Sequence, residues 1–225
     1  MKTTIKLIGF ILLSAISFLA HAQKEKGSKQ QADTIGIFID MLGETTYMFE
    51  KVTLSSNGIN YIDAKGKNIY QPHKYIKLME SYGRIFLSVS PRFSDDGIKL
   101  MEVLALGPKH SLLQLYNGMT YALYAYDQNF KMIMNNKIVA NKGSAGWKSN
   151  NRNVFDEVKK YFNDCSELMT KLQKNIDAEN GLTDEIYDIR CPDAPSYEAV
   201  IEILNKKPWY DELIQEQQKK ANRKK

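Results

Sequence analysis

His73, His110, Cys165, Cys191 and the acidic pair Asp95-Asp96 are the side chains in this sequence best suited to chemistry. Neither histidine belongs to a His-x-x-x-His or His-Glu-x-x-His pair, so no zinc site can be assembled locally. Asp95-Asp96-Gly97 lacks the spaced oxygen ligands of a calcium loop and reads as a turn following Pro91. Gly143-Ser144-Ala145-Gly146 has neither the spacing of a nucleophile elbow nor the Gly-Lys-Ser ending of a phosphate loop. No catalytic residue, metal or cofactor is assigned. The enzymatic alternative is an exported hydrolase whose site draws His73, His110 and Asp95 from distant positions into one cleft.

Binding chemistry is better represented. The segment 141–153 has no apolar period and holds Lys142, Lys148 and Arg152 without an acid, around Trp147. An aromatic ring supplies apolar area and the cations supply donors, which suits a sugar or an anion. A plain connector whose Trp packs on the sheet is the competing reading. The partner would be a protein or glycan of the cell envelope.

Cys165 falls on the apolar face of a helix, and Cys191 precedes Pro192. Outside the cytoplasm a bridge is chemically available, and no Cys-x-x-Cys arrangement supports redox work. The pair is read as a structural disulfide, with two buried thiols as the alternative.

The elements that must position these residues are strands first and helices second. Between Arg84 and Asn135, apolar runs rich in Ile, Val, Leu and Tyr cover 84–90, 98–106, 110–116, 119–126 and 131–134, with Asn117-Gly118 as a hairpin signal. Upstream, 34–42, 45–54, 59–62 and 68–71 are strand-like, and 74–80 reads as an edge strand because Pro72 cannot donate to a ladder. The fold class is α+β: an antiparallel meander of about eight to ten strands, as a barrel, half-barrel or sandwich, followed by a short-helix tail packed on it. The run 119–126 is apolar on both faces, Tyr121, Leu123 and Ala125 on one and Ala122, Tyr124 and Tyr126 on the other, so it requires cover on both.

Asn153 is placed as an N-cap, followed by Phe155, Val158, Phe162, Cys165, Met169 and Leu172 at helical spacing, with a joint at Asp164. Its stripe is expected to pack where Tyr124 and Tyr126 would otherwise meet water. Thr183 and Ser196 are further N-caps, and Pro208 suits a helix start.

Lys2 and Lys6 precede an uncharged apolar run ending in Ala20-His21-Ala22, the pattern of a secretory signal peptide cut before Gln23. The expected organisation is a signal peptide over 1–22, a flexible leader over 23–33, a β-rich body over 34–140, a loop over 141–153, a helical tail over 154–218 and a basic disordered end over 219–225. After cleavage, 29 basic and 26 acidic residues remain, too small an excess to imply nucleic acid. Its distribution is uneven: 23–152 holds 17 bases and 11 acids, whereas 153–218 holds 7 and 15, which favours docking of tail on body. No second long apolar run exists to span a membrane.

The segments Tyr161-Phe162-Asn163-Asp164-Cys165-Ser166-Glu167-Leu168, Tyr70-Gln71-Pro72 and Met101-Glu102-Val103-Leu104-Ala105-Leu106-Gly107 resemble a group of uncharacterised exported bacterial proteins. In these a β-rich body precedes a helix with an Asp-Cys-Pro-Glu-Leu-like segment and a later partner Cys. Here Ser166 stands in place of that Pro. The resemblance implies export and this architecture, and no particular activity. The expected role is a non-catalytic binding or interaction module in the periplasm or outside the cell.

Overall fold

Polar turns and apolar strands alternate so regularly between Gly36 and Val139 that the described residues there fold mainly as hairpins. The computed structural model describes residues 34–55, 57–90, 97–116 and 120–223. The signal peptide, the leader, Asp95-Asp96, the Asn117-Gly118 turn and Lys224-Lys225 lie outside the described residues.

Strands β1 (Gly36–Asp40), β2 (Thr45–Met48), β6 (Ile76–Ser81), β7 (Arg84–Val89), β8 (Lys99–Leu106), β9 (His110–Tyr116), β10 (Tyr121–Asp127) and β11 (Met132–Val139) form one sheet in the order β11-β10-β9-β8-β7-β6-β1-β2. All neighbours in that path are antiparallel. The short β12 (Ile189–Arg190) adds to β8 in parallel at Ala105 and Leu106. Strands β3 (Glu50–Leu54), β4 (Gly58–Ile62) and β5 (Asn68–Pro72) make a separate three-stranded sheet. The large sheet is open, which excludes the closed barrel.

Three hairpins share one turn device. Asp40 Oδ1 accepts the N–H of Leu42 and Glu44, Asp63 Oδ1 that of Lys65 and Lys67, and Asp127 Oδ1 that of Asn129 and Lys131, all at 2.8–2.9 Å. The residue before the last donor is left-handed: Gly43, Gly66 and Phe130, at φ of 85°, 72° and 53°. An Asp side chain thus replaces a backbone turn, and glycine serves where no Cβ is tolerated cheaply.

Two expectations about the strands change. The run 45–54 divides at Phe49 between the two sheets. The strand after Pro72 is interior, between β1 and β7, not at an edge, because the 3₁₀ turn His73–Tyr75 absorbs the proline before β6 begins.

The tail comprises α1 (Trp147–Phe162), α2 (Ser166–Asp177), α3 (Tyr197–Leu204) and α4 (Pro208–Asn222). No helix among the described residues is long and apolar enough to cross a membrane. Ser196 caps α3, its Oγ accepting from Ala199 N at 3.3 Å, and Pro208 opens α4. Thr183 caps no helix: a turn over 182–185 and an irregular stretch lead into β12 at Ile189, and the Thr183 hydroxyl donates to Gln114 instead. Helix α1 begins at Trp147, after left-handed Gly146, and not at Asn153. The cause is Asn151, which accepts from Ala140 N and donates to Ala140 O, at 2.9 and 3.1 Å, and so stitches the first turns of α1 to the end of β11. Residues 219–222, expected to be disordered, continue α4. Beneath that helix Glu216 accepts from Lys74 at 2.8 Å and from the Tyr75 hydroxyl at 2.5 Å, and Gln217 donates to Asp40 at 2.5 Å.

Helices α3 and α4 cover one face of the large sheet, where Val200, Leu204 and Tyr210 meet Leu87, Met101, Val103, Leu113, Tyr124 and Tyr126. The other face is covered in two pieces. At the β10–β11 end, Val154, Val158, Phe162, Leu168 and Leu172 of α1 and α2 meet Leu104, Leu112, Leu123 and Ala125. Toward β1, Ile59 and Tyr61 of the small sheet meet Phe38, Met79, Phe86 and Leu100. The α1 stripe therefore lies against the Leu123 face, not the Tyr124 face. Cys165 and Cys191 are bonded to each other, and Cys191 N donates to Leu106 O at 2.8 Å, which fastens the tail to the end of β8.

Candidate functional site

On the same face as the small sheet, one row of the large sheet is of mixed character. Register explains its chemistry. Met79, Phe86, Glu102, Gln114 and Leu123 are successive partners across β6 to β10, so two polar side chains stand in the middle of an apolar row. Both are buried.

A cleft of about 300 Å³ sits over that row. Its walls are apolar, with Val52 and Leu54 from β3 and Met79, Phe86 and Leu100 from the large sheet. Its floor carries Ser81, Arg84, Glu102 and Gln114, and His73 closes one side. Exposed rings stand at its rim: Tyr82 in the β6–β7 turn, and Tyr116 with Tyr121, whose centroids are 5.0 Å apart. Predominantly apolar walls with a few converging polar groups are the general character of small-molecule sites.

The polar groups are unequally satisfied. Arg84 Nη1 reaches both Glu102 oxygens at 3.2 and 3.3 Å, and Gln114 Oε1 accepts from Thr183 at 2.7 Å. Burial nevertheless raises the Glu102 carboxyl above its usual range, Arg84 opposing only in part. His73 is 3% exposed, and neither ring nitrogen makes a hydrogen bond of regular geometry, the Gly58 backbone being the polar group beside it; Ser81 Oγ is also without a partner. Burial pushes the His73 pKa down to about 4, with the Lys99 charge adding to the effect and the nearby Gly58 backbone opposing it. The imidazole is therefore uncharged at neutral pH, with one donor and one acceptor. Buried polar groups are normally paired, so these orphans in a cleft wall mark the place where a ligand would supply partners.

The other residues singled out in the sequence lie elsewhere. Trp147, Lys148 and Arg152 line a second hollow, of about 230 Å³, and Lys142 is not among its lining. Asp177 and Glu179 share that hollow, and Lys148 is ion-paired with Glu179. Its cations are thus offset by acids that periodicity did not reveal. A broader depression of about 650 Å³ between α1 and α2, beside Phe155 and Met169, holds none of the orphaned polar atoms found among the described residues. His110 packs edge-on against Tyr161 and Phe162, its Nδ1 2.9 Å from Tyr161 O. It opens β9, four residues and about 13 Å along the strand from Gln114, so it does not join His73. Asp95 lies outside the described residues. Among the described residues no cluster of His, Cys, Asp and Glu could hold a metal ion.

Glu102 and Gln114 were not among the residues singled out in the sequence. Each was visible as a lone polar residue inside an apolar strand, Met101-Glu102-Val103 and Leu113-Gln114-Leu115. Comparison of the chain with protein-family models, with curated proteins and with solved structures finds no match.

Proposed function

We propose that this protein is an exported, non-catalytic binding module of the cell envelope, and that the cleft beside the small sheet, over Glu102 and Gln114, is its ligand site. The observation that carries this reading is the orphaned, buried His73 facing the cleft beside Ser81, above a floor of Glu102 and Gln114. Leaving such groups unpaired costs roughly 1–3 kcal/mol each, a cost that a bound ligand would remove. Export is supported by the Cys165–Cys191 bond, since such bonds persist in oxidising compartments, and by the charged and apolar pattern of residues 1–22. The hydrolase alternative required His73, His110 and Asp95 in one cleft, and of the two histidines only His73 lines it.

The test is retention of small molecules from an envelope extract by the purified protein, compared with Val52→Trp, which places an indole in the cleft from a partly exposed position. Compounds held by the parent and released by the variant are the expected result. Equal retention by both, no retention by either, or a protein partner insensitive to Val52→Trp would remove the cleft from the functional account.

A further inference from the structure

We infer that the cleft takes a small neutral molecule with a hydrocarbon body and one end that both donates and accepts a hydrogen bond, such as a hydroxyl or a carboxamide. This rests on the cleft being the ligand site. A neutral imidazole presents one donor and one acceptor, and the Ser81 hydroxyl can act as either, so the orphaned atoms call for a group of mixed character. A hydroxyl or carboxamide can pair with one ring nitrogen and with Ser81 Oγ whichever tautomer the ring adopts, whereas a carboxylate only accepts and an ammonium only donates.

Charge points the same way. Among the described residues, the ionic side chains in the lining are Arg84 and Glu102, which are engaged with each other at 3.2 Å. A charged end would have to leave water without a free counter-charge in the lining, and that desolvation is costly. A negative end would also face the Glu102 carboxyl, already disfavoured as an anion by burial. Val52, Met79, Phe86 and Leu100 offer contacts only to hydrocarbon. At about 30 Å³ per small group, the space admits on the order of ten non-hydrogen atoms.

The experiment uses three probes of one chain length, 1-octanol, octanoate and octylammonium, titrated calorimetrically at pH 7.5 into the full mature protein and into Val52→Trp. The expected result is that 1-octanol binds at least tenfold more tightly than either ion, and that Val52→Trp abolishes this binding. Ser81→Ala, which removes only an unpaired hydroxyl, is expected to weaken 1-octanol several-fold while changing the ions little. Binding of octanoate or octylammonium as tight as that of 1-octanol, and lost in Val52→Trp, would overturn the ligand class while leaving the cleft as a site. Silence of all three probes, with Val52-dependent retention of envelope compounds intact, would also overturn the class alone. Silence in both experiments would overturn the class and the site together.

Discussion

Glu102 and Gln114 are direct partners across β8 and β9, side by side on the floor of a cleft in a row that is otherwise Met79, Phe86 and Leu123. Such a placement costs stability, because a charge is held where water is scarce. Glu102→Gln is therefore expected to raise stability at pH 7.5, by about 1 kcal/mol. The sign follows from the raised carboxyl pKa: the folded protein binds the Glu102 proton more readily than the unfolded chain, so its penalty is largest at high pH. The advantage of the variant should shrink as pH falls through the folded pKa towards 4.5. Urea unfolding at a series of pH values checks this, and a gain that grows on acidification would refute it.

His73 gives the opposite pH dependence. Its folded pKa of about 4 lies below the ordinary 6.5, so the unfolded chain takes up the proton first. The stability it supports is complete above pH 6.5 and is lost as pH falls towards 4, a change on the order of 3 kcal/mol. His73→Leu is expected to flatten the stability profile across this window. Parallel profiles for the two proteins would show that the ring is not buried and neutral as described.

Cys165 and Cys191 span 26 residues of sequence, and on chain-entropy grounds their bond contributes about 3.5 kcal/mol. The unreduced, denatured protein should yield no free thiol on labelling. A Cys165→Ala/Cys191→Ala variant should melt well below the parent, by an amount that thiol reduction of the parent reproduces.

Phe162 is 1% exposed among Leu, Val and Cys side chains contributed by both sheet and tail. Phe162→Asp places an unpaired charge there and is expected to cost at least about 4 kcal/mol. Sheet and helix signals should fall together in circular dichroism and Trp fluorescence. A strand signal that kept its midpoint while helicity vanished would make the tail an independent unit.

Much of this architecture was legible because local chemistry and tertiary packing agree. The run through Leu123, Tyr124, Ala125 and Tyr126 is apolar on both faces, and the sheet is covered on both. Ser196, Pro208 and the joint at Asp164 read correctly because caps and breaks are local. Asn153 misled because Asn151, two residues earlier, satisfies strand-end groups, a long-range role that its residue type does not advertise. Pro72 misled because a 3₁₀ turn separates it from the ladder. The site was hidden for a related reason. Glu102 and Gln114 are twelve positions apart in the chain and become neighbours only when the β8–β9 register is set, bulge included. The Trp147 loop attracted attention through its cations, whereas Asp177 and Glu179, which offset them, arrive from another helix and its end.

The most direct measurement of the central claim is nitrogen NMR of the histidine rings in protein labelled at histidine, titrated with 1-octanol. His73 makes no hydrogen bond of regular geometry at either ring nitrogen, whereas His110 Nδ1 is already held by Tyr161 O and serves as the internal control. The expected result is a saturable shift of both His73 nitrogens, with His110 unmoved and no response in Val52→Trp. A His73 ring that stays unchanged while 1-octanol binds elsewhere would contradict the assignment of the cleft as the functional site.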